Sequence, residues 1–96
     1  MTYTFDAPLW RWAARTETWT FVSVPAEISD EILDLAGPTG TRGFGSLPVE
    51  VEIGPVLWRT SIFPGDAGYA LPIKKAVRAA NGADVGDVLH VRLTLR

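Results

Sequence analysis

Lys74, Lys75 and Arg78 stand together in the stretch GYALPIKKAVRAANG, residues 68–82. Two basic residues four apart share one face of a helix, and a helix start carries N–H groups without intrahelical acceptors. That combination attracts an anionic small molecule or an acidic protein partner. Arg59, Thr60 and Ser61 precede the stretch on a hairpin, and Tyr69 lies within it. These seven residues form the candidate ligand site. The competing account is structural. An amphipathic helix always has a polar face, and Lys74 or Arg78 could instead pair with a carboxylate such as Asp87.

Other residues with chemical potential are less well supplied with partners. His90 is the single histidine, and there is no cysteine. A metal centre or an acid–base pair needs convergent ligands or partners, so no metal and no cofactor is expected. GFGSL, residues 43–47, lacks the G-x-S-x-G spacing of a nucleophile elbow. Glu50 and Glu52 project from one strand face about 7 Å apart. Such a pair can serve glycosidic chemistry, but it is more commonly a solvated face that discourages edge aggregation. GTRGFGS is glycine-rich, yet it leads into a strand rather than a helix, unlike a phosphate loop. Trp10 and Trp12 flank Arg11 with one strand parity, a pattern that can stack on bases but also packs small cores. Trp19 and Trp58 are assigned to the core.

The elements that must position these residues are short. Ninety-six residues with 47% hydrophobic content suit one domain, residues 1–96. No apolar run approaches the ~20 residues of a membrane span, and MTYTFDAPLW lacks a signal-peptide pattern. The absence of cysteine fits a reducing compartment, and the cytoplasm is the expected location. The net charge of −2 argues against a general nucleic-acid binder. Its distribution is uneven: residues 26–52 carry a net −5 and residues 53–96 a net +3. A local basic patch is therefore compatible with an acidic chain.

TYTFDAPLW alternates as a strand, with Tyr3, Phe5, Ala7 and Leu9 inward; polar ARTET reads as a turn. WTFVSVP is a second strand with apolar residues on both faces, which implies a bulge or two-sided burial. Ser29 as N-cap and Gly37 as C′ residue bound a helix over 29–36, with Ile28, Ile32 and Leu35 on one face. GPTGTRGFGS is a loop. LPVEVEI and VLWRTSIF form a hairpin across Gly54-Pro55, PGDAG is a further turn, and YALPI is a short strand that its proline places at an edge or an end. A second helix spans 73–80, with Ile73, Val77 and Ala80 buried, and DVLHVRLTL is the last strand. The order is β-β-α-β-β-β-α-β. Strand-Pro-helix-Gly occurs twice, from Trp19 to Gly37 and from Tyr69 to Gly82. Two such units about a pseudo-twofold axis would let one small sheet close on itself.

The residues Phe5-x-Ala7-x-Leu9, Trp19-x-Phe21-Val22-x-Val24-Pro25, Gly43-Phe44-Gly45-Ser46, Trp58-x-Thr60-Ser61-x-x-Pro64 and Tyr69-x-Leu71-Pro72-x-Lys74-x-x-Val77-Arg78 carry a resemblance that extends to Leu95. In order and spacing, the chain resembles the bacterial and archaeal family called domain of unknown function 1905. The resemblance implies a mainly β fold with two short helices, a small single-chain double-split β-barrel. Two chains build that architecture in AbrB-type regulators and MazE-type antitoxins. It implies no activity. Some members add a C-terminal domain linked to bacteriocin protection, which this chain is expected to lack. Three readings follow. A non-catalytic binding module is favoured. A nucleic-acid-linked regulator rests on fold analogy alone. An enzyme is the least supported, since no nucleophilic or acid–base pair stands out.

Overall fold

The computed structural model describes residues 1–14, 17–36, 45–65 and 68–96. Seven strands and two helices follow in the order β1 (Thr2–Pro8), β2 (Trp10–Ala14), β3 (Glu17–Ser23), α1 (Ala26–Ala36), β4 (Leu47–Ile53), β5 (Val56–Gly65), β6 (Gly68–Pro72), α2 (Lys75–Asn81) and β7 (Val88–Leu95). The class is the expected one, mainly β with two helices. The expected first strand is divided at Leu9, which adds one strand to the order. Pro8 has no N–H to give a ladder. Leu9 keeps the β1–β7 register through its N–H, which donates to the Asp87 carbonyl at 2.8 Å, but its carbonyl accepts from Gly86 N–H at 2.7 Å, one residue out of register. The expected ARTET turn is narrower, since Ala14, Glu17 and Thr18 lie in strands; Arg15 and Thr16 fall outside the described residues.

All strand pairs are antiparallel, in the order β1-β7-β4-β5-β6-β3-β2. The two ends of that order are consecutive in the chain, joined at Leu9, and β1 touches β3. The sheet therefore curls back on itself, an arrangement compatible with a double-split barrel. Alternation sorts the side chains. Phe5, Ala7 and Leu9, then Val49, Val51 and Ile53, then Leu89, Val91 and Leu93 are all buried. Each fully buried aliphatic side chain contributes about 1.5–3 kcal/mol of hydrophobic stabilisation. Val22, Ile62 and Leu71 close the same core from the other strands.

Both helices cap this curl, and both are displaced from their expected positions. α1 starts three residues early, directly after Pro25, and Ser29 N–H already bonds the Pro25 carbonyl at 2.8 Å. Ser29 is thus not an N-cap. It is buried, its hydroxyl donates to the Val24 carbonyl at 3.1 Å, and its oxygen accepts from Tyr69 N–H at 3.1 Å. The reason is the strand end: β3 stops where β6 begins, and the helix must satisfy both. Ile32 is fully buried and Ile28 packs against the core, but Leu35 is exposed. Gly37 and Pro38, the expected stop, lie outside the described residues.

α2 starts two residues late, with Lys74 as an extended N-cap residue that makes no side-chain cap. Ile73 and Val77 are buried as expected, whereas Ala80 is exposed and Ala83 takes the inner position. Gly82 has φ 59°, a left-handed backbone that suits glycine. Its N–H donates to the Ala79 carbonyl and that of Ala83 to the Arg78 carbonyl, a Schellman-type end with Ala83 as its apolar contact.

The two strand–helix units are related by exchange. Val22 on β3 stands opposite Leu71 on β6. Pairing β2–β3 matches β5–β6, and pairing β1–β7 matches β4–β5. The repeated strand–helix pattern of the sequence is thus a repeated pattern of strand partners.

Candidate binding surfaces

The seven candidate ligand residues are dispersed over several environments. Lys74 reaches over the Trp58 ring, with Nζ 6.0 Å from the ring centroid, a cation–π distance. Lys75 is exposed, and Arg78 is half-buried one turn along α2. No carboxylate pairs with any of these three among the described residues. The Arg78 Nε is buried and makes no hydrogen bond, as is the Trp58 Nε1. Asp87, the structural partner considered for them, caps its own loop instead, accepting from Asp84 N–H at 2.8 Å. Arg59 is on the strand face opposite to Trp58 and lies 3.7 Å from Glu50, its direct cross-strand neighbour. Ser61 shares that outer parity and faces Pro48. Tyr69 is buried, and burial raises the pKa of its phenol. Thr60 borders a different feature, described next.

An open groove of about 830 Å³ lies on the outer face of β2, β3, β5 and β6. β3 explains it. Its register against β2 is unbroken, so there is no bulge. Thr20, Val22 and Val24 point inward and are buried, which sends Trp19 and Phe21 outward. Trp19 is therefore not a core residue, contrary to expectation: it is 48% exposed, and Trp12 directly opposite it is 52% exposed. Trp58 does pack against the core, half-buried. The next cross-strand pair, Trp10 and Phe21, stacks at 5.0 Å between ring centroids, and the Trp10 indole N–H donates to Ser23 Oγ at 3.0 Å. Phe63 of β5, 44% exposed, adds another ring. The sequence contained the signal for this face in the mixed parity of WTFVSV, where two-sided burial was one of two alternatives.

The exchange of β3 and β6 isolates what is unusual here. Phe21 and Ala70 occupy equivalent positions, and so do their partners Trp10 and Phe63. Two residues nearer the hairpin tips, the first unit has Trp12 opposite Trp19, and the second has Gly65 opposite Gly68. The same strand pairing is thus completed once by two large aromatic residues and once by two glycines.

The remaining candidates are surface contacts. His90 Nδ1 lies 2.5 Å from Asp6 Oδ1, with both side chains mostly exposed. Glu52 lies 3.7 Å from Arg92, again directly across strands, so Glu50 and Glu52 each face a guanidinium. Exposed pairs of this kind contribute about 0–1 kcal/mol. No group of three potential metal ligands occurs among the described residues. Of the glycine-rich loop at 40–46, only Gly45 and Ser46 are described, and Gly45 sits against Pro64. No helix among the described residues is long and apolar enough to cross a membrane.

A family model described as Domain of unknown function (DUF1905) matches residues 5–93. Nearly the whole chain is covered, and the chain belongs to that family. A comparison with curated proteins finds no match.

Proposed function

We propose that this member of the DUF1905 family is a non-catalytic binding module whose ligand surface is the aromatic outer face of β2, β3, β5 and β6. The observation that carries this reading is the Trp12–Trp19 pair. At the equivalent place in the second unit, Gly65 and Gly68 complete the same pairing, so the architecture itself has no requirement for rings there. Half-exposed tryptophans lose apolar contact with water only when something covers them. The groove's volume also lies in the range of ligand sites, roughly 300–1,000 Å³. We place the protein in the cytoplasm, in keeping with its lack of cysteine.

The test is chemical denaturation of the Trp12→Ala/Trp19→Ala double variant. An exposed cross-strand pair contributes about 0.2–1 kcal/mol, so the variant should keep a stability close to that of the parent. A loss of about 3–5 kcal/mol, the cost of truncating a core aromatic, would make the pair structural and end this reading.

A second reading has its own observation. Lys74, Lys75 and Arg78 have no carboxylate partner among the described residues, while Arg59 and Arg92 do. The buried Arg78 Nε also lacks an acceptor, a state that costs about 1–3 kcal/mol unless an acceptor is supplied. An anionic ligand or an acidic partner would supply one. Thermal unfolding in inorganic phosphate, compared between parent and Lys74→Ala/Arg78→Ala, tests it: a stabilisation common to both proteins removes the site. A nucleic-acid role by analogy with AbrB-type barrels remains weaker, since the net charge of −2 opposes phosphate binding.

A further inference from the structure

We propose that this chain associates with a second copy of itself, the acidic outer face of α1 in one copy against the basic face of α2 in the other. The inference rests on the second reading, in which Lys74, Lys75 and Arg78 receive an acidic partner. The two helices occupy equivalent places in the two strand–helix units. Ser29 N–H bonds the Pro25 carbonyl at 2.8 Å in α1, and Arg78 N–H bonds the Lys74 carbonyl at 3.1 Å in α2. The offset along the chain is the one that relates Val22 to Leu71. Their charges are opposite. Glu27, Asp30, Glu31 and Asp34 are all exposed at the spacing of one helix stripe, and α1 carries no basic residue. At the same offset Ala76, Ala79 and Ala80 take the places of Glu27, Asp30 and Glu31 in α2. That helix has no acid, and Lys74 and Lys75 are exposed at its start. Alanine serves in one unit where a carboxylate stands in the other, so the fold itself does not require the acidic stripe.

Each helix repels its own charges. Glu27 and Glu31, Asp30 and Asp34, and Lys74 and Arg78 are like-charge pairs one turn apart, a spacing that disfavours the helix carrying them. No ion pair relieves any of them among the described residues, whereas Glu50 faces Arg59 and Glu52 faces Arg92 on the sheet. The basic side also has polar atoms to satisfy. The buried Arg78 Nε lacks an acceptor, and so does the Nε1 of Trp58, whose ring lies under Lys74. Ionised carboxylates are acceptors only, and the outer stripe of α1 supplies four of them. Complementarity also decides which faces meet. α1 on α1, or α2 on α2, would set like charges against each other, a juxtaposition that excludes wrong pairings. Leu33 and Leu35, half exposed on α1, add apolar area to the contact.

The experiment is sedimentation velocity of the whole chain over a concentration series, in low salt and in high salt. The weight-average mass should rise above that of the monomer with concentration in low salt and return to it in high salt, where exposed charges are screened. Asp30→Asn/Asp34→Asn and Lys74→Gln/Lys75→Gln change only exposed positions. Each should weaken association about tenfold, the effect of two to three exposed ion pairs. A mixture of the two variants should associate again, because each retains the face that the other has lost. A parent chain that is monomeric in low salt overturns the inference. So does association that either variant keeps in full, or a mixture no heavier than its components. Failure of the underlying reading is distinguishable. A monomeric chain that phosphate stabilises only when Lys74 and Arg78 are present overturns self-association and leaves the basic site standing, with its acidic partner a different molecule.

Discussion

Val22 and Leu71 stand directly opposite one another at the middle of the β3–β6 pairing, and the hydrogen bonds beyond them exchange across that point. Val24 N–H donates to the Tyr69 carbonyl at 2.9 Å, and Ile73 N–H donates to the Thr20 carbonyl at 2.8 Å. Each atom is two residues from the central pair. The side-chain contacts break this symmetry. On one side the Ser29 hydroxyl links Tyr69 N–H to the Val24 carbonyl, and on the other the Thr20 hydroxyl donates to the Ile73 carbonyl at 2.6 Å. The seam thus joins the two units, anchors both helix starts and supports the aromatic face on its outer side.

Leu71→Ala should cost about 2–5 kcal/mol, because Leu71 is fully buried at this seam and its truncation leaves a cavity. Urea unfolding measures it. The comparison with Trp12→Ala/Trp19→Ala matters most: the ratio of the two losses separates the inner face of the seam from the outer one. Similar losses for both variants would mean that the outer rings are part of the core.

Gly68→Ala should destabilise strongly. Gly68 has φ +117°, a backbone that L side chains rarely adopt, and an added Cβ would lie 2.8 Å from the Ser29 oxygen. Backbone strain of this kind costs about 1–3 kcal/mol, and displacing Ser29 would also leave Tyr69 N–H without its acceptor. Gly82→Ala is the control, since its φ is also positive but the space around it is open. Thermal unfolding should rank Gly68→Ala well below Gly82→Ala, and the reverse order would refute the contact with Ser29.

Much of the framework was legible in the chain because alternation is a local signal. LPVEVEI declares its buried face by parity, and the β4–β5 hairpin follows from Gly54-Pro55. The two helix starts were misplaced because Ser29 and Lys74 respond to tertiary partners. Ser29 resembles a cap in sequence, but the strand end at Val24 and the N–H of Tyr69, forty residues away, claim its hydroxyl. The aromatic face was hidden for a related reason. An outward Trp and a buried Trp have the same sequence appearance, and only the inward course of Thr20, Val22 and Val24 decides for Trp19. Spacing along the chain groups Lys74 with the β5 hairpin, and Lys74 does reach Trp58, but spacing does not reveal that Arg59 faces the other side of β5, toward Glu50.

Stability should fall at high pH through Tyr69. Burial holds its phenol pKa above the ordinary tyrosine value of about 10 in the folded chain; Tyr3 is raised as well, by desolvation first and by the nearby Glu31 carboxylate second. An unfolded tyrosine ionises near 10, so above that pH the unfolded state binds fewer protons than the folded one. The stabilisation is complete below the unfolded pKa and is lost as pH rises through the folded value. Urea midpoints measured from pH 8 to 11 should fall above pH 10, and Tyr69→Phe should flatten part of that decline. An unchanged slope in Tyr69→Phe would assign the loss to other groups.

Asn81→Asp should be more damaging than Asn81→Ala at neutral pH. The Asn81 amide donates to the Ile53 carbonyl at 3.2 Å and to the Val77 carbonyl at 2.9 Å, tying the end of α2 to the β4–β5 hairpin. Alanine removes two donors, at about 0.5–1.5 kcal/mol each. A carboxylate would instead place negative charge against two carbonyl oxygens at a helix C-terminus, where the dipole also opposes it. Its folded pKa would therefore rise, and its protonated form could still donate to one carbonyl. Stability of Asn81→Asp should consequently be best at acid pH and decline as pH rises through the folded pKa of the introduced carboxyl. Equilibrium unfolding of both variants at pH 3.5 and pH 7 checks this. If Asn81→Asp ranks above Asn81→Ala at pH 7, the amide is not holding the two carbonyls and the helix end must be fixed by Gly82 and Ala83 alone.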